Sequence, residues 1–270
     1  MARHDTIRID SGRERTDAVC FLFVCTGKYN DRERNGWYNK KQLGGEVFMD
    51  DNVSAFNSHE YNAKIRKTIP YYDEFYKQIV SVVKAKTEKP LCWLDVGCGT
   101  GRMADEVFNN IAVKRFVFCD NSQKMIELVK KQHTEPYSEF MNISVLDIKE
   151  KDCFDIVTAI QVLHYLSYEE RITAIQNCLN SLCENGIFIY FENFRPKNEV
   201  LLPLYFQRWK AYQLSQGKPQ EEADRHLQRY GKDYFPITID EHIKILADCG
   251  FRYREIIWLS NMQVGIMGIK

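Results

Sequence analysis

Short apolar runs alternate with amphipathic segments along most of this chain. The clearest run is "LCWLDV" at residues 91–96, and four similar runs follow it: "RFVFCD", "MNISVLDI", "FDIVTAIQVL" and "GIFIYFENF". Apolar runs of this length, bounded by turn residues, are typical of buried strands. The segments between them, such as "SYEERITAIQNCLNSLC", repeat apolar residues every three or four positions and therefore predict helices. Strands that alternate with helices predict a mostly parallel sheet covered on both faces.

The two ends of this pattern add helices and a hairpin. Residues 62–86 have helical spacing on both sides of Pro70, which predicts two helices. After the fifth strand, helical segments at 201–216 and 220–231 are too long to be a simple connection. A last helix and the strands "YREIIWLS" and "VGIMGI" close the chain, and we expect this final pair to form an antiparallel hairpin at the sheet edge. The predicted fold class is therefore α/β, a doubly wound, mostly parallel, seven-stranded sheet with a reversed final strand.

Residues 1–48 differ from the remainder in composition and in the periodicity of their apolar residues. Charged clusters such as "GRERTD" and "NDRERNG" surround the apolar octet "AVCFLFVC", with little sustained periodicity. Two interpretations stay open: a weakly ordered extension, or translated sequence ahead of a true start at Met49, because "GGEVFM" can be encoded by a purine-rich ribosome-binding site. The predicted domain spans 49–270, with a helical cap at 49–88 and a helical substrate insert at 197–236.

The balance of charges predicts no general attraction for polyanions. Lysine and arginine together number 37, as do aspartate and glutamate, so a nucleic acid or a membrane surface would need a local basic patch. The apolar octet is too short to cross a bilayer and makes a poor signal peptide. The nine cysteines include no CxxC pair, and the histidines do not lie at metal-ligand spacing. We therefore expect reduced thiols, no metal site and a cytoplasmic protein.

Candidate chemistry begins at "LDVGCGTGR", directly after the first predicted strand. Gly97, Gly99 and Gly101 alternate where a tight turn brings backbone close to a ligand. A dinucleotide fingerprint would need a glycine where Arg102 stands, and no Walker-type lysine follows. Asp95, just ahead of the loop, suits a ligand that carries an ammonium and a sulfonium better than one that carries phosphates. The loop therefore predicts a nucleotide site that does not bind a pyrophosphate.

Two further strand ends carry acidic residues. Asp120 closes the second predicted strand, where a carboxylate can accept hydrogen bonds from both ribose hydroxyls. Asp147 and Ile148 close the third, where a carboxylate and a backbone amide can meet the polar edge of an adenine. Any one of these aspartates, taken alone, is better explained as a helix N-cap or a turn residue. At consecutive carboxyl ends of a parallel sheet, they predict a single crevice.

The motifs "LDVGCGTG", "FCDNSQKMI", "VLDI" and "FDIVTAIQVLHYL", in this order, resemble those of class I S-adenosylmethionine-dependent methyltransferases, over roughly residues 56–270. The resemblance implies a Rossmann-like fold, S-adenosylmethionine as cofactor, S-adenosylhomocysteine as product and no metal. It also implies that Asp95 and the glycine loop contact the methionine moiety and that Asp120 holds the ribose. Asp147 with Ile148 would contact the adenine, and the same resemblance implies that Asn121 and Met125 line the adenosine part of the site.

A closer similarity links both ends of the domain to the carboxy-S-adenosylmethionine synthase family, whose product is used to modify the wobble uridine of tRNA. The similar segments are "IRKTIPYYDEF", "YFPITIDEHIKILADCGF" and "WLSNMQVGIMGIK". In that family a tyrosine after the proline contacts the cofactor, which corresponds to Tyr72. Its asparagine after the fourth strand is replaced by Ile160, and the arginine that grips the extra carboxylate maps near Leu214. Without that cation the extra carboxylate would be buried unpaired, which favours ordinary methyl transfer.

The segment "FNSHEY" is a candidate lid over the cofactor, with Tyr61 and Arg66 as contacts. The alternative is a plain helix N-cap by Asn57 or Ser58. The predicted cofactor-binding residues are in full Tyr61, Arg66, Tyr72, Asp95, Gly97, Cys98, Gly99, Thr100, Gly101, Asp120, Asn121, Met125, Asp147, Ile148, Ile160 and Gln161.

Two residues are candidates for catalysis. His164 follows the fourth strand, where the acceptor approaches in the family that the chain resembles, and an imidazole can act as a general base. A structural hydrogen bond explains His164 equally well. Glu192 ends the fifth strand, where a carboxylate can take a proton, bind an amine or cap the next segment.

Aromatic residues around the insert predict an acceptor pocket, although core packing explains most stripes of this kind. Arg208 indicates an anionic ligand group or a salt bridge to Glu221 or Glu222. The predicted substrate-binding residues are Tyr165, Tyr205, Arg208, Trp209, Tyr212, Tyr230 and Tyr234.

Three functions follow from these patterns. The favoured one is methyl transfer from S-adenosylmethionine to a small aromatic or anionic acceptor. The alternatives are an enzyme of the carboxy-S-adenosylmethionine or tRNA wobble-uridine kind, and an inactive cofactor-binding partner subunit. A small molecule is the predicted partner, with tRNA added only by the resemblance and no membrane; the oligomeric state stays open, a homodimer being one alternative.

Overall fold

The computed structural model describes residues 61–270, with side chains from Lys64 onward; the extension at 1–48 and the side chains of Asn57, Ser58 and Tyr61 lie outside the described residues. Strands and helices alternate through most of this range, as predicted. The strands are β1 Leu91–Val96, β2 Val113–Cys119, β3 Ser138–Met141, β4 Phe154–Ile160, β5 Leu182–Asn193, β6 Tyr253–Ser260 and β7 Gln263–Ile269. The helices are α1 Tyr61–Thr68, α2 Tyr72–Lys86, α3 Arg102–Phe108, α4 Gln123–Gln132, α5 Tyr168–Ser181, α6 Leu202–Ser215, α7 Gln220–Leu227 and α8 Ile239–Cys249.

These strands form one seven-stranded sheet in the order β3-β2-β1-β4-β5-β7-β6. The first five strands are parallel to one another, whereas β7 runs antiparallel to both β5 and β6. The predicted doubly wound sheet, its reversed final strand and the closing hairpin at its edge are therefore confirmed. In this topology the carboxyl ends of β1, β2 and β4 meet at one edge, where ligands bind in open α/β sheets.

The third strand is shorter than predicted. β3 ends at Met141, and Val145–Asp147 forms a 3₁₀ turn in which the Ser144 hydroxyl accepts a hydrogen bond from the Leu146 N–H at 3.2 Å. The prediction that Asp147 closes the strand is wrong, because this capped turn replaces extended backbone. The fourth strand also stops early, at Ile160, because Gln161 adopts a left-handed φ of 59° that a strand does not accommodate.

Apolar side chains cover both faces of the sheet. On one face Ile175 of α5 and Leu246 of α8 pack with Phe188 in one buried cluster. On the other face Phe75 of α2 packs with Trp93 in a second cluster. Burying side chains of this size contributes about 1.5–3 kcal/mol each. The strands are therefore held rigidly, and their polar carboxyl ends are positioned by the two cores.

Helix α6 of the insert anchors the turn between α1 and α2. The Trp209 indole N–H donates to the Thr68 carbonyl at 2.6 Å, and the Tyr212 hydroxyl donates to the Arg66 carbonyl at 2.9 Å. Both carbonyls lie in the last turn of α1, where an isolated helix leaves its acceptors unpaired. Tyr71 then adopts a left-handed φ of 56°, and α2 begins at Tyr72. The insert thereby fixes where α2 starts.

Among the described residues, every helix is too short or too polar to cross a bilayer.

Candidate active site

The glycine loop after β1 requires glycine for two different reasons. Gly97, Gly99 and Gly101 all adopt left-handed φ angles, of 62°, 52° and 81°. A Cβ on Gly97 would lie 2.4 Å from Val162 Cγ2, and one on Gly101 would lie 2.5 Å from His133 Nε2. A Cβ on Gly99 would instead meet only the Gly97 carbonyl oxygen, at 4.0 Å. The first and third glycines thus allow close packing, whereas Gly99 has room for a side chain but a φ that favours glycine.

A small cleft opens beside this loop. It is lined by Tyr72, Tyr76, Asp95, Gly97, Cys98, Gly99, Thr100, Arg102, Met103 and Ile160. Seven of the predicted cofactor-binding residues are therefore brought together from four elements: Tyr72, Asp95, Gly97, Cys98, Gly99, Thr100 and Ile160. That they bind a cofactor stays a prediction.

Asp95 is the buried anion of this cleft. Its side chain lies at the end of β1 and is 3% exposed, and its Oδ1 accepts a hydrogen bond from the Thr158 hydroxyl at 2.8 Å. The indole N–H of Trp93 donates to the same hydroxyl at 2.9 Å, which orients it toward Asp95. Burial raises the pKa of the Asp95 carboxyl to about 7, although the Thr158 hydrogen bond opposes this shift. A ligand cation would favour the ionised carboxylate.

Asp120 connects the glycine loop to β2. Its Oδ2 accepts a hydrogen bond from the Gly99 N–H at 2.9 Å, and its Oδ1 accepts one from the Ser122 N–H at 2.8 Å. These bonds fix the rotamer of the carboxylate at the carboxyl edge of the sheet. A carboxylate oxygen can accept two hydrogen bonds, so these two bonds do not by themselves exclude a ribose.

The other predicted adenosine contacts lie farther along the same edge. Met125 and Ile148 are buried, and Asn121 and Asp147 are exposed. None of the four lines the cleft beside the glycine loop. Gln161 is buried, and its amide N–H₂ donates to Gln263 Oε1 at 3.0 Å while its own Oε1 has no partner among the described residues.

Arg66 is engaged away from the cleft. Its Nε donates to both oxygens of Asp73, at 3.0 and 2.8 Å, and the two side chains are about half exposed. The hydrogen bond from Arg66 lowers the pKa of the Asp73 carboxyl. Arg66 does not line the cleft, so the structure gives no support to the prediction that it contacts a cofactor.

A second constellation lies in the loop that follows β4. Glu192 at the end of β5 is fully buried, and its oxygens accept hydrogen bonds from the N–H groups of Val162, Leu163 and His164 at 2.8–3.0 Å. Its Oε2 also contacts His164 Nδ1 at 2.5 Å. Burial alone would raise the pKa of Glu192, but His164 and these N–H donors hold it below its usual value. All four contacts engage the carboxylate, so Glu192 orients the loop and its geometry does not favour direct proton transfer with a ligand.

Arg171 satisfies the carbonyl groups of the same loop. It is 1% exposed, its Nε donates to the Leu163 carbonyl at 3.1 Å, and its Nη2 donates to the Phe235 carbonyl at 2.7 Å. The Phe235 N–H in turn donates to the His164 carbonyl at 2.7 Å. Two buried charges, Glu192 and Arg171, therefore hold the loop from opposite sides.

Aromatic rings pack around the His164 imidazole. Its ring lies 4.3 Å from the ring of Tyr165 and 5.7 Å from that of Tyr234, centroid to centroid. The ring of Tyr234 is also stacked on His226, at 6.1 Å. Burial raises the pKa of Tyr165 to about 12 and lowers that of His226 to about 3, so both stay neutral near pH 7. The Tyr234 hydroxyl is buried and has no partner among the described residues.

The remaining predicted substrate residues lie in two other places. Trp209 is completely buried and Tyr212 is bonded to α1, as described above, so both stabilise the fold. The guanidinium of exposed Arg208 lies over the ring of Tyr205 at 5.8 Å, and within the described chain it forms no ion pair with Glu221 or Glu222. Tyr230 packs on Phe206 at 5.0 Å. The predicted pocket residues thus do not converge on one point.

Sequence reasoning missed three residues of the cleft: Tyr76, Arg102 and Met103. Tyr76 lies one helical turn after Tyr72, so it shares the face that the predicted contact uses. Arg102 directly follows the loop, but the sequence indicates only that it replaces a glycine. Arg171 was missed too, since nothing local marks an arginine as buried. In the described chain no group of three or more histidine, cysteine or acidic side chains is placed to hold a metal ion.

The chain is similar to known proteins in sequence and in structure. A methyltransferase domain family matches residues 94–188. Carboxy-S-adenosyl-L-methionine synthase from Helicobacter hepaticus is 25% identical over 227 residues, which cover 81% of this chain and 92% of that protein. The YcgJ protein from Bacillus subtilis has a similar structure, with a TM-score of 0.56 at 14% identity, over 73% of this chain and 98% of that one. Magnesium protoporphyrin IX methyltransferase from Synechocystis, solved with bound S-adenosylhomocysteine, has a TM-score of 0.53 at 18% identity, over 76% and 86% of the two chains.

Proposed function

The chain carries a class I S-adenosylmethionine-dependent methyltransferase domain related to the carboxy-S-adenosyl-L-methionine synthases, and we propose that it transfers a methyl group from S-adenosylmethionine to a small aromatic acceptor beside His164. One observation carries the proposal. Ile160 lines the glycine-loop cleft, and the loop held by Glu192 and Arg171 begins at the next residue. The cofactor cleft and the candidate base are therefore joined by four residues of fixed backbone.

The cleft suits the methionine end of the cofactor. Asp95 is a buried carboxylate without a cationic partner among the described residues, which matches an ammonium group. Gly99 lines the cleft and has no side chain, so a ligand can approach its backbone closely. Asp120, bonded to the Gly99 N–H, continues the site toward a ribose. In this proposal Asn121, Met125, Asp147 and Ile148 complete the adenosine side.

Methyl transfer requires the protein to align the cofactor with the acceptor and to supply one proton acceptor. When bound, S-adenosylmethionine supplies a methyl carbon whose bond to sulfur breaks, with its electron pair staying on sulfur, as an acceptor oxygen or nitrogen bonds to that carbon. Glu192 holds the imidazole proton of His164 on Nδ1, which leaves Nε2 to take the acceptor's proton. Positioning the two reactants about 3–3.5 Å apart supplies much of the rate.

The side chains near His164 favour an aromatic acceptor. Tyr165, Tyr234 and His226 are neutral and form a ring-lined environment in which offset or edge-on aromatic contacts are favourable. The unpartnered Tyr234 hydroxyl supplies a donor for one polar atom of such a ligand. An anionic group has no such support there, because the exposed Arg208 packs on Tyr205 instead.

A turnover assay with matched histidine variants tests this function. Methyl-labelled S-adenosylmethionine would be incubated with a panel of small phenols, aromatic amines and aromatic acids, and S-adenosylhomocysteine release would be measured. We expect His164→Gln to lower kcat by about 100- to 10,000-fold while the affinity for S-adenosylhomocysteine is unchanged. His242→Gln, which removes another buried imidazole, is the control. An unchanged kcat in His164→Gln would exclude His164 as the base.

The mass of the co-purified ligand separates the related activities. The named relative makes carboxy-S-adenosylmethionine, which is heavier than S-adenosylmethionine by one carboxyl group. Finding that heavier species bound to the purified chain would favour the carboxy-cofactor activity over methyl transfer. Tight binding of the ordinary cofactor without turnover on any acceptor would instead indicate an inactive partner subunit.

A further inference from the structure

One permanently charged cation lines the cleft beside the glycine loop. Arg102 is the first residue of α3, and its side chain is 26% exposed. The guanidinium lies 5.3 Å from the ring centroid of Tyr76, so an aromatic face supports it. Its Nη2 lies 3.1 Å from Glu106 Oε2. The other residues that line the cleft carry no positive charge.

The hydrogen bonding of Arg102 is incomplete. Its Nε is buried and has no hydrogen-bond partner among the described residues. Asp73 does not supply one, because its contact with the guanidinium is an ion pair to Nη2 at 3.8 Å, which is too long for a hydrogen bond. A buried donor left unpaired destabilises the folded state. The folded chain therefore holds a guanidinium edge that an anion can satisfy.

The opposite charge lies in the same cleft. Asp95 and Arg102 both line it, together with residues of the glycine loop. An α-amino acid carries an ammonium and a carboxylate on one carbon, so a matched pair of charges recognises it. We propose that Arg102 binds the α-carboxylate of the methionine moiety while Asp95 binds the ammonium. This inference rests on the proposed cofactor and adds the residue that selects its amino-acid end.

The proposal assigns Arg102 a planar contact as well as a charge. A guanidinium can present two parallel N–H groups to a carboxylate, which a lysine ammonium cannot do. The Tyr76 ring lies close to the Arg102 guanidinium and offers a flat face to that planar group. Arg102 thus contributes affinity for ligands that keep the carboxylate and none for ligands that lack it.

A ligand pair tests this contact directly. Calorimetry would compare S-adenosylhomocysteine with its decarboxylated analogue, which keeps the ammonium, the thioether and the adenosine. We expect the wild-type protein to prefer S-adenosylhomocysteine by about 10- to 100-fold, and Arg102→Gln to lose that preference by binding S-adenosylhomocysteine more weakly while the affinity for the analogue stays the same. Arg102→Lys is expected to keep part of the preference. Arg115→Gln is the matched control, since Arg115 also pairs with a glutamate but lies outside the cleft.

The outcomes separate the two proposals. If the wild-type protein binds neither ligand, the proposed cofactor is wrong. If it binds both and Arg102→Gln weakens them equally, or weakens neither, the assignment of Arg102 is wrong and the cofactor stands. If Arg102→Gln weakens the decarboxylated analogue more than S-adenosylhomocysteine, the guanidinium does not serve the α-carboxylate, which also overturns the assignment.

Discussion

At the scale of single residues, the buried Asp95 carboxyl is suited to bind a cationic ligand but destabilises the unliganded folded chain. The folded chain places this carboxyl at the end of a buried strand with one hydroxyl donor and no cation among the described residues. Burial therefore raises its pKa to about 7. In water a carboxylate pays no such desolvation cost. A cationic ligand that binds beside Asp95 would offset this cost in the folded state.

Replacing Asp95 with asparagine is expected to stabilise the unliganded protein above pH 7. The unfolded chain releases this proton near pH 4, whereas the folded chain keeps it to about 7, so the wild type loses stability as pH rises between these values. The introduced asparagine side chain would carry no charge and can still accept the Thr158 hydrogen bond. Urea unfolding from about pH 5 to about pH 8 should show Asp95→Asn gaining stability over the wild type as pH rises.

The same substitution should weaken ligand binding. Wild-type affinity for S-adenosylhomocysteine is expected to rise as pH increases through 7, whereas that of Asp95→Asn stays lower and flat. Asp248→Asn, at an exposed ion pair with Lys244, is the control. A pH-independent difference in stability between wild type and Asp95→Asn would contradict the raised pKa.

At the scale of elements, helix α6 acts on the cleft through α1. Trp209 and Tyr212 donate to carbonyls in the last turn of α1, and Lys218 Nζ donates to the Thr68 hydroxyl at 3.0 Å. Beyond the end of α1, Tyr71 adopts its left-handed conformation and Tyr72 enters the cleft. A residue predicted to bind substrate, Trp209, therefore supports the wall of the cofactor cleft.

Trp209→Phe is expected to lower both stability and cofactor affinity. The substitution keeps an aromatic ring but leaves the buried Thr68 carbonyl without its indole donor, which costs about 1–3 kcal/mol of unfolding free energy. Because the α1 turn carries Tyr72 into the cleft, the dissociation constant for S-adenosylhomocysteine should rise as well. Denaturant unfolding and calorimetry measure the two effects.

Tyr212→Phe provides a graded comparison. Its hydroxyl bond to the Arg66 carbonyl is exposed, so water replaces the lost donor and the cost should be about 0.5–1.5 kcal/mol or less. If Trp209→Phe loses stability but binds S-adenosylhomocysteine as tightly as the wild type, α6 does not act on the cleft.

At the scale of the whole molecule, the candidate site joins elements that the sheet already holds together. The cleft draws residues from α2, β1, the glycine loop, α3 and β4, and Asp120 adds β2. Ligand binding would therefore stabilise the global fold, because a molecule that binds only the folded state shifts the unfolding equilibrium by mass action.

Thermal unfolding in the presence of S-adenosylhomocysteine checks this coupling. At a ligand concentration of about 100 times the dissociation constant, the folded state gains about 2.7 kcal/mol, which raises Tm by about 5–10 °C in a domain of this size. Adenosine alone should give a smaller shift, because it lacks the groups that face Asp95. An equal or larger shift with a pyrophosphate dinucleotide would contradict the site proposed here.

Much of the fold is predictable because its signals are local. The glycines of the loop, the acidic ends of β1 and β2, and the closing hairpin follow from turn chemistry and from the period of apolar residues. The end of β3 is not predictable in this way. The 3₁₀ turn capped by Ser144 lies between the strand and Ile148. Its apolar residues resemble those of a strand, so the sequence predicts a longer β3.

The candidate site, too, is only partly predictable from the sequence. The sequence by itself determined which residues lie at the carboxyl ends of parallel strands, because strand order and helix spacing place Asp95, Asp120 and the glycine loop at one edge. Only the tertiary structure decided what Glu192, Trp209 and Arg102 do. Trp209 bonds a carbonyl 141 positions away, and Arg102 pairs with Glu106 on its own helix but keeps a buried N–H without a partner among the described residues. Such contacts arise from the packing of elements, which no local pattern of residues encodes.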